Sequence, residues 1–163
     1  MEEDDFNRFP TGKIAKGSWC DHCARFNSRP SVCDIIIIRK NNNKVLLEKR
    51  NINPQKGWWA LCGGYLNWDE DLEKCAMREV KEELGYELKE IIFFRNFSSP
   101  KRDPSDKQGV GHVFYVFVEQ DPPQIDSQEV QEIGWFDLDN LPENIAFDHR
   151  EMLEEFMKSY EFK

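Results

Sequence analysis

The chain has 163 residues, a length that suits one domain with a substantial core. Hydrophobic residues make up 39%, with 12 Phe and 5 Trp, which argues against a disordered chain. A formal net charge of -9 disfavours broad electrostatic capture of nucleic acid or an anionic membrane, and the longest apolar run, Ile35 to Ile38, is far too short to span a bilayer.

Residues 1–30 are polar, carry glycine and proline, and show no clear period. They read as an N-terminal arm with one short strand, separate from a domain over 31–163. The acidic start Met1-Glu2-Glu3-Asp4-Asp5 is unlike a secretory leader. Five cysteines cannot all pair within the chain, so a reduced, cytoplasmic setting is expected. Cys20-Asp21-His22-Cys23 has metal-like spacing, and Cys33 offers a third sulfur. A closed zinc site wants four ligands and the second Cys-x-x-Cys pair is missing. An incidental element is therefore preferred over zinc at Cys20 and Cys23. The arm also offers a surface for a homodimer.

Residues 31–39 are rich in β-branched side chains and read as a buried strand. Asn41-Asn42-Asn43 makes a turn, and 44–49 returns as the second strand of a hairpin. A loop over 51–57 leads to Trp58 and Trp59. A short apolar strand, Trp59-Ala60-Leu61-Cys62, ends in Gly63 and Gly64, whose missing side chains let the backbone approach a ligand.

Asn67 and Glu70 have the form of a capping box, which predicts a helix starting near Trp68 and stopping at Gly85. Leu72, Ala76 and Val80, with Cys75 beside them, form the stripe that should face a sheet. Glu79, Glu82 and Glu83 share another face. Like charges that close destabilise a helix. Two readings remain open: a solvated acidic face, or carboxylates gathered around a hard divalent cation.

Residues 88–97 read as a strand with apolar Ile91, Ile92, Phe93, Phe94 and Phe97. A polar loop over 98–111 holds Pro100, Arg102, Asp103 and Pro104. Residues 112–119 form a strong strand. After a loop over 120–128 come a short strand at 133–136 and a closing amphipathic helix over 147–160, with Phe147, Met152, Phe156 and Tyr160 on its apolar side. Strands around two helices give an α/β or α+β layer fold.

The segment 64–86 resembles the Nudix box, G-x5-E-x7-R-E-U-x-E-E-x-G-U, where U is bulky and aliphatic. The matching residues are Gly64, Glu70, Arg78, Glu79, Val80, Glu82, Glu83 and Gly85. Tyr86 at the last U and Cys62, where many members carry proline, are departures. The likeness extends over roughly Pro30 to His149. It implies an α/β/α sandwich around a mixed sheet. It also implies hydrolysis, with Mg2+ or Mn2+, of a diphosphate linked to another group.

The resemblance further implies Glu79, Glu82, Glu83 and the Gly63 carbonyl as metal ligands, with Arg78 and Glu70 as a supporting ion pair. The general base is either Glu79 or a glutamate on a later loop. Of Glu129 and Glu132, Glu129 is the choice. The loop at Pro100 to Pro104, His112, and Phe147-Asp148-His149 resemble the ADP-ribose pyrophosphatase subgroup. That assigns Pro100, Arg102, Asp103 and Trp59 to a small nucleoside diphosphate substrate. For Arg102 and Asp103 a local ion pair is an equal alternative, and an aromatic beside the glycine loop, such as Trp59, is usually core. Hydrolysis of nucleoside triphosphates or another nucleotide sugar is the second reading. A nucleotide-binding sensor without turnover is the third.

Overall fold

The computed structural model describes residues 28–104, 107–123 and 128–160, and the backbone of 19–20 and 25–26. Within the arm, β1 (Trp19–Cys20) and β2 (Arg25–Phe26) pair antiparallel, two short strands where one was expected. Cys23 and the side chain of Cys20 lie outside the described residues, and so does the zinc question.

The domain is built on a seven-stranded mixed sheet. Its strands are β3 (Ser31–Arg39), β4 (Val45–Arg50), β5 (Trp59–Ala60), β6 (Cys62–Tyr65), β7 (Ile92–Phe97), β8 (Val110–Val118) and β9 (Val130–Phe136). The order β5-β4-β3-β8-β7 is extended by β6 on β3 and β9 on β4. The helices are α1 (Leu72–Leu84) and α2 (His149–Ser159).

β3 explains the isoleucine run. Side chains alternate across a strand, and both faces of β3 are covered. Ile36 and Ile38 join Met152, Leu153 and Phe156 of α2 in one core. Cys33, Ile35 and Ile37 join Cys75, Ala76, Val80 and Leu84 of α1 in the other. Each fully buried isoleucine contributes about 1.5–3 kcal/mol. The two cores are the layers of the expected α/β/α sandwich.

Several elements differ from their sequence-level bounds. β3 and β4 do form an antiparallel pair, at Ile38 and Val45, but the long ladder of β3 runs parallel to β8 from Ser31–Val110 to Arg39–Val118. The predicted strand 59–64 is divided at Leu61. Ala60 pairs with Glu48 of β4, whereas Cys62 pairs with Ile35 of β3. α1 starts four residues later than predicted. Asp71 is its N-cap and accepts a hydrogen bond from the Lys74 N–H. The Asn67 N–H still donates to Glu70 Oε1 at 2.8 Å, so that pairing shapes the loop ahead of the helix. Gly85 closes α1 in the left-handed conformation, φ 72°. α2 begins after Phe147, whose φ of 55° is incompatible with a first helical turn.

Candidate active site

The box helix is held against the sheet by its apolar stripe, which fixes the direction of its acidic face. That face borders a cavity of about 570 Å³, within the range of small-molecule sites. Glu79, Glu82 and Glu83 of α1 line it, as do Glu48 of β4 and Glu129 ahead of β9.

Arg78 organises one side. Its Nε and Nη2 donate to Glu70 Oε2 and Oε1 at 3.0 and 2.8 Å. Its Nη1 donates to Glu79 Oε1 at 2.7 Å and Glu82 Oε2 at 3.0 Å, and Nη2 also reaches the Tyr65 carbonyl at 3.1 Å. The fork matches carboxylate geometry. Its hydrogen bonds are the main reason the Glu70 carboxyl is held down to about 2.

Glu83 is only 6% exposed. Its Oε2 accepts the Cys62 thiol at 2.8 Å and the Gly63 N–H at 3.2 Å. Burial pushes its carboxyl up to about 8, with Glu79 and Glu129 adding repulsion against those hydrogen bonds. Burial, with Glu83 next to it, raises Glu48 well above the carboxylate range. Burial raises Glu79 as well, against the pull of Arg78. Glu48 Oε2 is buried with no hydrogen bond to it among the described residues.

Carboxylates under such strain, all oxygen donors, fit a hard divalent cation. Glu79, Glu82 and Glu83 would hold it, and Gly63 lines the same cavity. Of the two loop glutamates, Glu129 lines the cavity, while Glu132 pairs with Lys49 at 2.8 Å and is not part of its lining.

The other side rests on a buried polar cluster. Arg102 donates from Nη2 to Asp34 Oδ2 at 3.1 Å and from Nε to Asp148 Oδ2 at 3.0 Å. His149 Nδ1 accepts the Leu61 N–H at 2.9 Å, an amide left over where β5 gives way to β6. That bond needs a lone pair on Nδ1, so the ring proton sits on Nε2, which faces Asp34 Oδ1 at 3.4 Å. Burial opposes the charge on Asp34, but His149 and Arg102 outweigh it and hold the carboxyl below its usual range. The cluster ties β3, the 98–109 loop and the start of α2 together.

These placements revise the substrate residues. Arg102 lines the cavity, but two buried carboxylates engage its guanidinium, so it fixes the loop. Among the described residues its ion pairs are with Asp34 and Asp148. Asp103 lines the cavity; Pro100 is exposed and does not. Trp59 packs edge-on against Phe136 at 4.8 Å and joins the α2-side core, so it is packing rather than a base platform. The aromatic rings at the cavity belong to Tyr65 and Phe147, under Lys107 (5.0 Å) and Arg50 (4.9 Å).

Sequence reasoning missed Asp34 and Glu48. Asp34 is a carboxylate inside a strand that otherwise reads as buried, and a buried charge demands a partner; Glu48, in the second strand of the hairpin, carries no such local signal.

A protein-family profile described as the NUDIX domain matches residues 29–156. The chain belongs to the Nudix family. This Nudix chain is 37% identical over 137 residues to the ADP-ribose pyrophosphatase of Methanocaldococcus jannaschii, covering 82% of the chain and 77% of that protein. It is 33% identical to the NAD-capped RNA hydrolase NudC of Vibrio atlanticus over 67% of the chain, but spans only 38% of that relative.

Among solved structures, a MutT/nudix family protein from Enterococcus faecalis superposes with a TM-score of 0.71 at 27% identity, over 82% of this chain and 63% of that one. The NUDIX domain of Shewanella oneidensis NrtR, solved with ADP ribose, gives 0.73 over 98% and 99% of the two chains. At 22% identity that match speaks for the fold alone. No helix among the described residues is long and apolar enough to cross a membrane.

Proposed function

We propose that this Nudix protein is a divalent-cation-dependent pyrophosphohydrolase that splits ADP-ribose into AMP and ribose 5-phosphate. The carboxylate cluster opening onto one cavity carries the reaction class. The substrate follows from the similarity to the M. jannaschii ADP-ribose pyrophosphatase, which spans most of both chains.

Water attacks one phosphorus of the diphosphate, and the bond from that phosphorus to the bridging oxygen breaks. Glu129 is our general base, taking the proton of the attacking water at a cavity-facing carboxylate. Glu79, Glu82, Glu83 and the Gly63 carbonyl would hold Mg2+ or Mn2+, which would screen the diphosphate charge and position its oxygens. Glu70 and Arg78 keep Glu79 and Glu82 oriented. Tyr65 and Phe147 supply apolar surface for a base or ribose, and Asp103 a hydrogen-bond acceptor.

The three buried thiols Cys33, Cys62 and Cys75 support a reducing, cytoplasmic setting. The net charge of -9 supports a small nucleotide substrate rather than a nucleic acid. The 1–30 arm offers a surface for a homodimer.

The test is hydrolysis with Mg2+ of ADP-ribose, NADH, nucleotide sugars, dinucleoside polyphosphates, ATP and dATP. ADP-ribose should give AMP and ribose 5-phosphate with the highest kcat/KM. A preference for a triphosphate or another nucleotide sugar would overturn the assignment.

A further inference from the structure

The acidic site contains a sulfur that hydrolysis does not use. Glu48, Cys62 and Glu83 come from β4, β6 and α1, and each is at most 6% exposed. One ligand atom from each lies within 4.8 Å of the other two. The Cys62 thiol already points at Glu83 Oε2, at 2.8 Å. Glu48 Oε2 is buried with no hydrogen-bond partner among the described residues. A thiol donating to one buried carboxylate, beside a second buried carboxylate, brings three donor atoms from three different elements close together.

The donor set selects the ion. Sulfur is a poor ligand for Mg2+ and a good one for Zn2+ or Cd2+. Zinc binds sulfur at about 2.3 Å and carboxylate oxygen at about 2.0–2.2 Å, which puts tetrahedral ligand atoms about 3.3–3.8 Å apart. Glu48 and Glu83 line the cavity, so a fourth position would face it, open to water.

We propose that Glu48, Cys62 and Glu83 form a second cation position, selective for thiophilic divalent ions such as Zn2+. Filling it takes Glu83 from the hydrolytic site and slows turnover. The Cys62 proton leaves to solvent as the sulfur–metal bond forms. The inhibitory half rests on the hydrolase reading above; the binding half does not.

Cobalt is the probe for binding, because thiolate-bound Co2+ shows a near-ultraviolet charge-transfer band. The full chain carrying Cys20→Ser and Cys23→Ser removes the arm thiols from the measurement. That protein should show the band, and adding Cys62→Ser should abolish it. Disturbing even the outer partners of a metal costs about 10–100-fold in affinity, so Glu48→Gln should weaken cobalt binding at least about tenfold.

No band in the first protein, or a band that survives Cys62→Ser, overturns the site. Should Cys62→Ser fail to fold by circular dichroism, Glu48→Gln decides, and unchanged cobalt affinity overturns it. In the second arm, zinc is titrated into ADP-ribose hydrolysis at saturating Mg2+. Cys62→Ser should raise the zinc concentration for half-inhibition at least about tenfold. Equal zinc sensitivity with and without that substitution overturns the inhibitory role. The cobalt result stands whether or not ADP-ribose is the substrate.

Discussion

The Glu79 carboxylate occupies the place where a Gly64 side chain would be: a Cβ built on Gly64 would lie 2.3 Å from Glu79 Oε1. The neighbouring glycine has a different reason. A Cβ on Gly63 would lie 2.1 Å from the Cys33 carbonyl oxygen, inside the β3–β6 ladder. One glycine makes room for the Glu79 side chain, the other for backbone.

The two positions should therefore fail differently when changed to alanine. Gly64→Ala displaces a movable side chain, so the fold should survive. A misplacement near 1 Å can cost about 100-fold, and kcat should fall by that order. Gly63→Ala presses on backbone and should lower the thermal midpoint well beyond Gly64→Ala. Paired melting curves and steady-state kinetics check both.

Glu83→Gln should lower hydrolysis and raise stability without metal. A neutral amide is a weak ligand for a hard cation, and kcat/KM should drop at least about 100-fold. The same amide carries no buried charge, while its oxygen can still accept from Gly63 and Cys62. Thermal melts in chelator at pH 8 should show a higher midpoint for Glu83→Gln than for the parent.

Stability without metal should fall as pH rises. The Glu83 carboxyl is held up to about 8 in the fold and returns to its ordinary value, 4.5, on unfolding. Between those values the native state holds the extra proton. Stability therefore declines by up to about 1.4 kcal/mol per pH unit and levels off above the folded value. Glu48 shifts in the same direction. Denaturant melts in chelator from pH 5 to 8 measure the slope, and Mg2+ should stabilise more at pH 8 than at pH 5. A flat profile would remove Glu83 from the account.

Arg102→Met should destabilise the protein by about 3–5 kcal/mol, because it leaves Asp34 and Asp148 buried without their shared cation. Arg102→Lys should recover only part of this, since one ammonium cannot reproduce the fork. Adding Asp148→Asn to Arg102→Met should restore some of the loss. Denaturant midpoints of the four proteins provide the comparison.

Local signals made much of this molecule legible. The continuous isoleucines announced a strand buried on both faces, and Gly85 marked the end of α1. The box residues placed Arg78, Glu79, Glu82 and Glu83 on one face of a helix, where the structure has them. What stayed hidden depends on partners distant in sequence. Arg102 pairs with Asp34 across 68 positions and with Asp148 across 46. Nothing near Arg102 announces either bond. The same holds for the β3–β8 ladder and for Glu48, which looks like a surface residue until β6 and α1 cover it. Trp59 misled because an aromatic beside a glycine loop serves equally as packing or as a platform. Only the position of Phe136 decides.

Arg78 gives the chain a way to exist before any metal reaches it. Its guanidinium already bridges Glu70, Glu79 and Glu82, so part of the acidic face has a resident counter-charge. Small metal-built domains lack such a stand-in and stay unfolded until their ion arrives. Here the scaffold can be completed first and loaded afterwards. Loading is then a reversible event in the finished protein, and its activity can follow the free divalent ion around it rather than the conditions of its synthesis.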